Sequence, residues 1–190
     1  LLERIARRGE LDRTIVIVVG DHGEEFFEHG EKGHRNNLYD VTLRVPLIAW
    51  APEVLEGGRV VDGPVSLVDV PPTVLARLGV PCPPDQQGED LAAGPRGGTV
   101  VAELHREIHS VIEGPWKLVY RWSDGRTELY DRAADPGERV NLADARPDVR
   151  DRLLGILRSG DHARFSPGRT EVPVLDERTE EELRALGYTD

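Results

Sequence analysis

The sequence predicts an α/β fold followed by a small antiparallel sheet and helix subdomain, and three stretches carry that expectation. Residues 14–19 read TIVIVV, a continuous β-branched run of the kind that forms a parallel strand buried on both faces. Residues 99–104, 109–113, 116–122 and 126–130 are short β-rich runs separated by Gly-Pro and Ser-Asp-Gly turns, the pattern of an antiparallel sheet. Residues 147–158 then place Val149, Leu153, Leu154 and Leu157 on one side of an amphipathic helix, an apolar stripe facing that sheet.

The remaining elements follow in chain order. Residues 1–8 read as a helix with Leu1, Leu2 and Ile5 on one face, broken at Gly9. Residues 36–43 are expected as a short helix, 46–50 as a second core strand and 59–65 as a connecting or edge strand. Asp69-Val70-Pro71-Pro72 opens a helix through Leu78, because a first turn tolerates a residue without an N–H, and Gly79 ends it. Residues 81–98, PCPPDQQGEDLAAGPRGG, read as a Pro/Gly-rich linker. A last helix is expected over residues 180–186, started by Thr179 with Glu182 three positions on as a capping box, and stopped by Gly187. The predicted division is 1–80 for the C-terminal part of an α/β core, 81–98 for the linker, 99–165 for the sheet and helix subdomain, and 166–190 for the tail.

Composition removes several function classes. The net charge is −11, from 24 basic and 35 acidic residues, and no basic stripe interrupts it, so phosphate-driven nucleic-acid binding is not expected. No apolar stretch approaches the roughly 20 residues of a membrane span. The single cysteine, Cys82, rules out an intramolecular disulfide and reads as an ordinary loop thiol. The 190 residues include no methionine, and the chain reads as a piece of a longer protein.

The chemistry concentrates just after the first strand. Asp21 and His22 follow TIVIVV directly, and open α/β sheets bind ligands beyond the carboxyl ends of their strands. A carboxylate beside an imidazole suits a divalent metal, although an Asp there also serves as a loop cap and a neighbouring His can be simply solvated. The same segment adds His29, Lys32 and His34 in a Gly-broken loop, together with the acids Glu24, Glu25 and Glu28. Elsewhere, Trp116, Tyr120, Trp122 and Tyr130 read as core or helix-packing aromatics. His105 and His109 flank one turn without a carboxylate or cysteine at ligand spacing.

These residues carry a family resemblance. DHGEEFFEHGEKGHRNNLYDVTLRVPLI, residues 21–48, resembles the second metal-binding segment of the sulfatases and their relatives in the alkaline phosphatase superfamily, which typically read DHGE, a loop with GH, LYDE and then R-V-P-L-I. VSLVDVPPTVLARLGVP resembles the family's helix after the core strands, and GPWKLVYRWSDGRTELYDRAADPGERVNLA its terminal antiparallel hairpins. VLDERTEEELRALGYTD resembles the tail of many bacterial sulfatase-like hydrolases. The fold implied is the C-terminal part of an alkaline-phosphatase-like α/β/α sandwich with the small sheet and helix subdomain after it.

The resemblance implies that Asp21 and His22 are metal ligands for one divalent ion, Ca, Mn or Zn, and that His34, with Lys32 as second candidate, contacts the substrate ester. It makes Arg44 a structural ion-pair partner. The family's upstream nucleophile motif and its first-strand acidic pair are absent, and Cys82 in VPCPPD lacks the arginine such a motif requires. The function implied is therefore part of a metal-dependent sulfuric ester hydrolase acting on a small-molecule or glycan sulfate ester, completed by a missing N-terminal half, with a periplasmic or extracellular location favoured. Two alternatives stand: a phosphoester hydrolase or phosphotransferase of the same superfamily, and a noncatalytic fold or interaction module.

Overall fold

The computed structural model describes residues 1–61, 63–93 and 98–159, together with 178, 179 and 181. The chain opens with α1 (Leu2–Arg7), which the left-handed Gly9 at φ 69° ends, and a 3-10 turn at Leu11–Arg13 leads into β1 (Val16–Val19). A loop carrying the two-residue strands β2 (Glu25–Phe26) and β3 (Lys32–Gly33) follows, then α2 (Asp40–Leu43) and β4 (Leu47–Trp50). After a 3-10 turn at Leu67–Asp69 comes α3 (Val70–Arg77). The C-terminal part contains β5 (Thr99–Leu104), β6 (Ile108–Glu113), β7 (Trp116–Arg121), β8 (Thr127–Asp131) and α4 (Pro147–Ser159). Residues Leu1–Ser159 form one compact unit. The helix expected over residues 180–186 lies outside the described residues, Glu181 excepted.

β1 departs from its expectation in direction and in cover. It runs antiparallel to β4, with Val16 opposite Trp50 and Val19 opposite Leu47, in a two-stranded ribbon. Val18, Val19, Ile48 and Trp50 are exposed rather than buried. A β-branched run specifies an extended backbone, but partner direction depends on which strand closes against it, and here the connection through the β2–β3 loop and α2 brings β4 back antiparallel. No strand forms over residues 59–65 among those described.

The C-terminal sheet has the order β5-β6-β7-β8, antiparallel throughout. Its period-two alternation sorts two faces. Val111, Leu118 and Leu129, all fully buried, meet Val149, Leu153, Leu154 and Leu157 of α4, with Tyr120 in the same cluster and Trp116 packed against it. Ile108 and Val119 point the other way and meet Leu38 from the segment before α2. The sheet is thus covered by α4 on one side and by residues 38–43 on the other, so the loop after β1 is seated on it.

The segment read as a linker is tied down through residues 88–91. Asp69, fully buried, accepts the Glu89 N–H at 3.0 Å and the Ser66 N–H at 3.0 Å, and Thr73 accepts the Leu91 N–H at 2.9 Å. Arg77 pairs with Asp90. Gly88, at φ +95°, passes so close to the Val68 carbonyl that a Cβ would lie 2.1 Å from its oxygen.

Candidate metal centre

The site begins where β1 stops. Gly20 donates to the Pro46 carbonyl at 3.1 Å, and the chain then leaves the ribbon beside a cavity of about 360 Å³ lined by Val19, Gly20, Asp21, Leu67, Val70 and Pro71. Asp21 is exposed, and its Oδ1 accepts the His22 N–H at 3.0 Å. His22 Nδ1 lies 2.9 Å from the Gly23 carbonyl oxygen. A carbonyl only accepts, so Nδ1 carries the proton and Nε2 is the lone-pair nitrogen, the arrangement that orients a ligating histidine. That Nε2 stands 3.8 Å from Asp21 Oδ2.

The β2–β3 hairpin then turns the chain back. His34 follows β3 directly, its ring stacked on that of His22 with centroids 3.8 Å apart and planes at 20°. Its Nδ1 lies 3.1 Å from Glu24 Oε2. The candidate ligand atoms of His22, Glu24 and His34 all fall within 4.8 Å of one another. A four-coordinate ion with bonds near 2.1 Å would hold such atoms roughly 3.4 Å apart, so modest rotamer changes close the group around one.

The other sequence candidates lie apart from this stack. Lys32 is exposed on β3, opposite Phe26 in register. The third imidazole of the loop, His29, stacks instead on Tyr39, with centroids 3.7 Å apart. Arg44 is exposed at the C-terminal end of α2, and Cys82 is exposed. His109 bonds Glu103 through Nε2 at 3.2 Å and accepts from Trp122 Nε1 at 2.7 Å, so both ring nitrogens are engaged on the sheet.

Three supporting residues lie outside the set of ligands and substrate contacts read from the sequence. Gly23 donates to the Thr42 carbonyl at 2.8 Å, and a Cβ there would stand 2.0 Å from the Val41 oxygen, so only glycine lets the loop lie on α2. Glu25, fully buried, accepts the N–H groups of His29 at 2.8 Å and Glu31 at 3.1 Å, and the Asn37 carboxamide. Burial alone would raise its carboxyl, but these donors outweigh it and hold the pKa below the usual carboxylate value. Lys117 is fully buried on β7, with Nζ 3.0 Å from Asp40 Oδ1 and 2.8 Å from Glu138 Oε1. A lysine inside the apolar run Trp116–Arg121 was the one visible hint of that pairing.

Residues 1–80, which contain Asp21, His22, Glu24 and His34, match the family model described as Sulfatase. Arylsulfatase K of Bos taurus is 30% identical over 172 residues, covering 80% of this chain and 31% of that protein. The Delta 4,5-hexuronate-2-O-sulfatase of Bacteroides thetaiotaomicron is 32% identical over 146 residues, covering 68% and 30% respectively. The chain belongs to the sulfatase family. It spans about a third of the length of these curated sulfatases. A protein solved with its substrate D-glucosamine-2-N,6-O-disulfate superposes with a TM-score of 0.73 at 26% identity, over 90% of this chain and 39% of that one. The shared architecture is the alkaline-phosphatase-like α/β fold, with the antiparallel sheet and helix after it. Sulfatases bind a divalent metal, and the donor set at His22, Glu24 and His34 fits one. Among the described residues no helix is long and apolar enough to cross a membrane.

Proposed function

We propose that this chain is the metal-loop and terminal-sheet portion of a metal-dependent sulfuric ester hydrolase, acting on sulfated glycans or small sulfate esters. The observation that carries the reading is the stacked His22–His34 pair beside Asp21 and Glu24, at the end of a strand, in the segment that matches the family. Residues 1–80 would supply the metal segment and 99–165 the sheet that seats it, with the remaining ligands and the nucleophile from the rest of the length the relatives have. A periplasmic or extracellular location goes with this reading.

Asp21 and His22 would hold the ion, with Glu24 at its edge, and Mn or Zn suits these donors better than Ca. A bound divalent ion neutralises charge on the nonbridging ester oxygens and lowers the pKa of the attacking group. His34 would donate a hydrogen bond to the departing oxygen from Nε2, with Glu24, 3.1 Å from Nδ1, orienting the ring. Lys32 would supply a second cation to the ester, and its exposure leaves it able to swing.

The test compares two variants in the full-length protein with an aryl sulfate substrate. His34→Ala should lower turnover on the order of 100-fold with metal content kept, whereas His22→Ala should lower both. Equal metal loss in the two variants would make His34 a ligand, and an unchanged rate in His34→Ala would move the donor role to Lys32. Faster turnover of the matched aryl phosphate would replace the sulfate reading with phosphoryl transfer.

A further inference from the structure

The loop that carries His22 and His34 has little regular structure to hold it, since β2 and β3 contain two residues each. Glu25 holds its turn from within, and α2, anchored by charge at Asp40, meets it at Gly23. Asp40, the first residue of α2, is held at three points: Lys117 Nζ at Oδ1 (3.0 Å), Arg132 Nε at Oδ2 (2.9 Å), and its own N–H donating to Glu138 Oε2 at 2.7 Å. Lys117 and Glu138 are both buried, and two cations balance two carboxylates. Two residues on, the Thr42 carbonyl receives the Gly23 N–H at 2.8 Å, and Gly23 lies between His22 and Glu24.

We propose that Asp40 is a positioning residue for the metal centre: the Lys117–Arg132–Glu138 cluster of the terminal sheet region fixes α2, and α2 fixes the His22 and His34 rings through Gly23. A buried ion cluster is a poor source of net stability, because desolvation consumes most of the attraction and an apolar substitute often does as well. Its distinguishing property is direction. The cluster admits one orientation of Asp40, whereas the apolar contacts of Leu38 on the same face would tolerate sliding. Only the second readout below rests on the metal reading, so the two stand or fall separately.

The experiment uses the whole chain as Asp40→Asn, as Glu138→Gln, and as Leu153→Ala, the last removing α4 packing far from α2. The first readout is the imidazole NMR resonances of His22 and His34, which shield each other while stacked at 3.8 Å. Loss of that shielding in Asp40→Asn or Glu138→Gln, with the dispersed amides of Val111 and Leu118 intact and with Leu153→Ala unaffected, is the result expected. Shielding retained in both charge variants overturns the proposal, as does equal loss in Leu153→Ala, which would mark general loosening. The second readout is calorimetric titration with Mn(II) alone, where a weakening of about tenfold or more is expected, the usual cost of losing groups that orient ligands. Lost shielding with unchanged Mn(II) affinity leaves the positioning role standing and removes the metal reading instead.

Discussion

At the scale of single residues, the centre depends on a glycine as much as on its histidines. Gly23 has no room for a methyl group, because a Cβ at that position would meet the Val41 oxygen at 2.0 Å, and backbone gives way less readily than a side chain. Gly23→Ala should therefore displace the loop, costing about 1–3 kcal/mol as an overpacking change. Urea unfolding and an Mn(II) titration should both register it; a variant with wild-type midpoint and affinity would mean that the loop is not seated on α2. The sequence singles out Asp21, His22 and His34 because metal-ligand chemistry needs few residue types, and the structure stacks the rings of the two histidines. It left Glu24 and Glu25 alike, two adjacent acids whose fates diverge only in three dimensions: one faces His34, the other is buried under three donors.

At the scale of elements, the terminal sheet and α4 were legible because alternation and helical spacing report which face is buried. Leu118 sits opposite Val111 and Leu129 in register and is fully buried against α4. Leu118→Ala should destabilise the chain by about 2–5 kcal/mol, read as a lowered denaturant midpoint with unchanged slope. A loss below about 1 kcal/mol would show that the site collapses or was never tightly packed. Two elements differ from expectation for local reasons. α2 begins at Asp40 rather than near residue 36, because Tyr39 is held extended at φ −73°, ψ 163° and its N–H goes to the Asn37 side chain at 3.2 Å. The direction of β1 was not legible, since neither strand encodes its partner.

At the scale of the whole molecule, pH bears on the join between the metal loop and the sheet from both sides. Asp40 would be raised by burial, but Lys117 and Arg132 hold its carboxyl below the usual value, and Glu25 is lowered too. Stability from lowered carboxyls is fully present above their unfolded values and is lost as pH falls through the folded ones, so the acid limb should begin below about pH 4. At the alkaline end, burial and the Glu128 carboxylate push Tyr39 up to about 12 and raise Tyr130 as well. Those contributions are present below the ordinary tyrosine value near 10 and decline as pH climbs toward the folded ones. Thermal midpoints followed from pH 3 to pH 11 should trace a plateau with both shoulders. In Asp40→Asn the acid shoulder should become shallower; an unaltered shoulder would remove Asp40 from the account.

The ribbon of β1 and β4 has a consequence for handling the chain in solution. Among the described residues neither strand has a second neighbour, so each presents an outer row of backbone donors and acceptors, flanked by the bare side chains of Val18, Ile48 and Trp50. Such an edge is a template for another strand. The surplus of 11 negative charges opposes that association by long-range repulsion, which dissolved salt weakens. A preparation of this chain should therefore scatter more light and bind more of a fluorescent apolar dye as sodium chloride is added, the reverse of a protein kept apart by a well-covered surface.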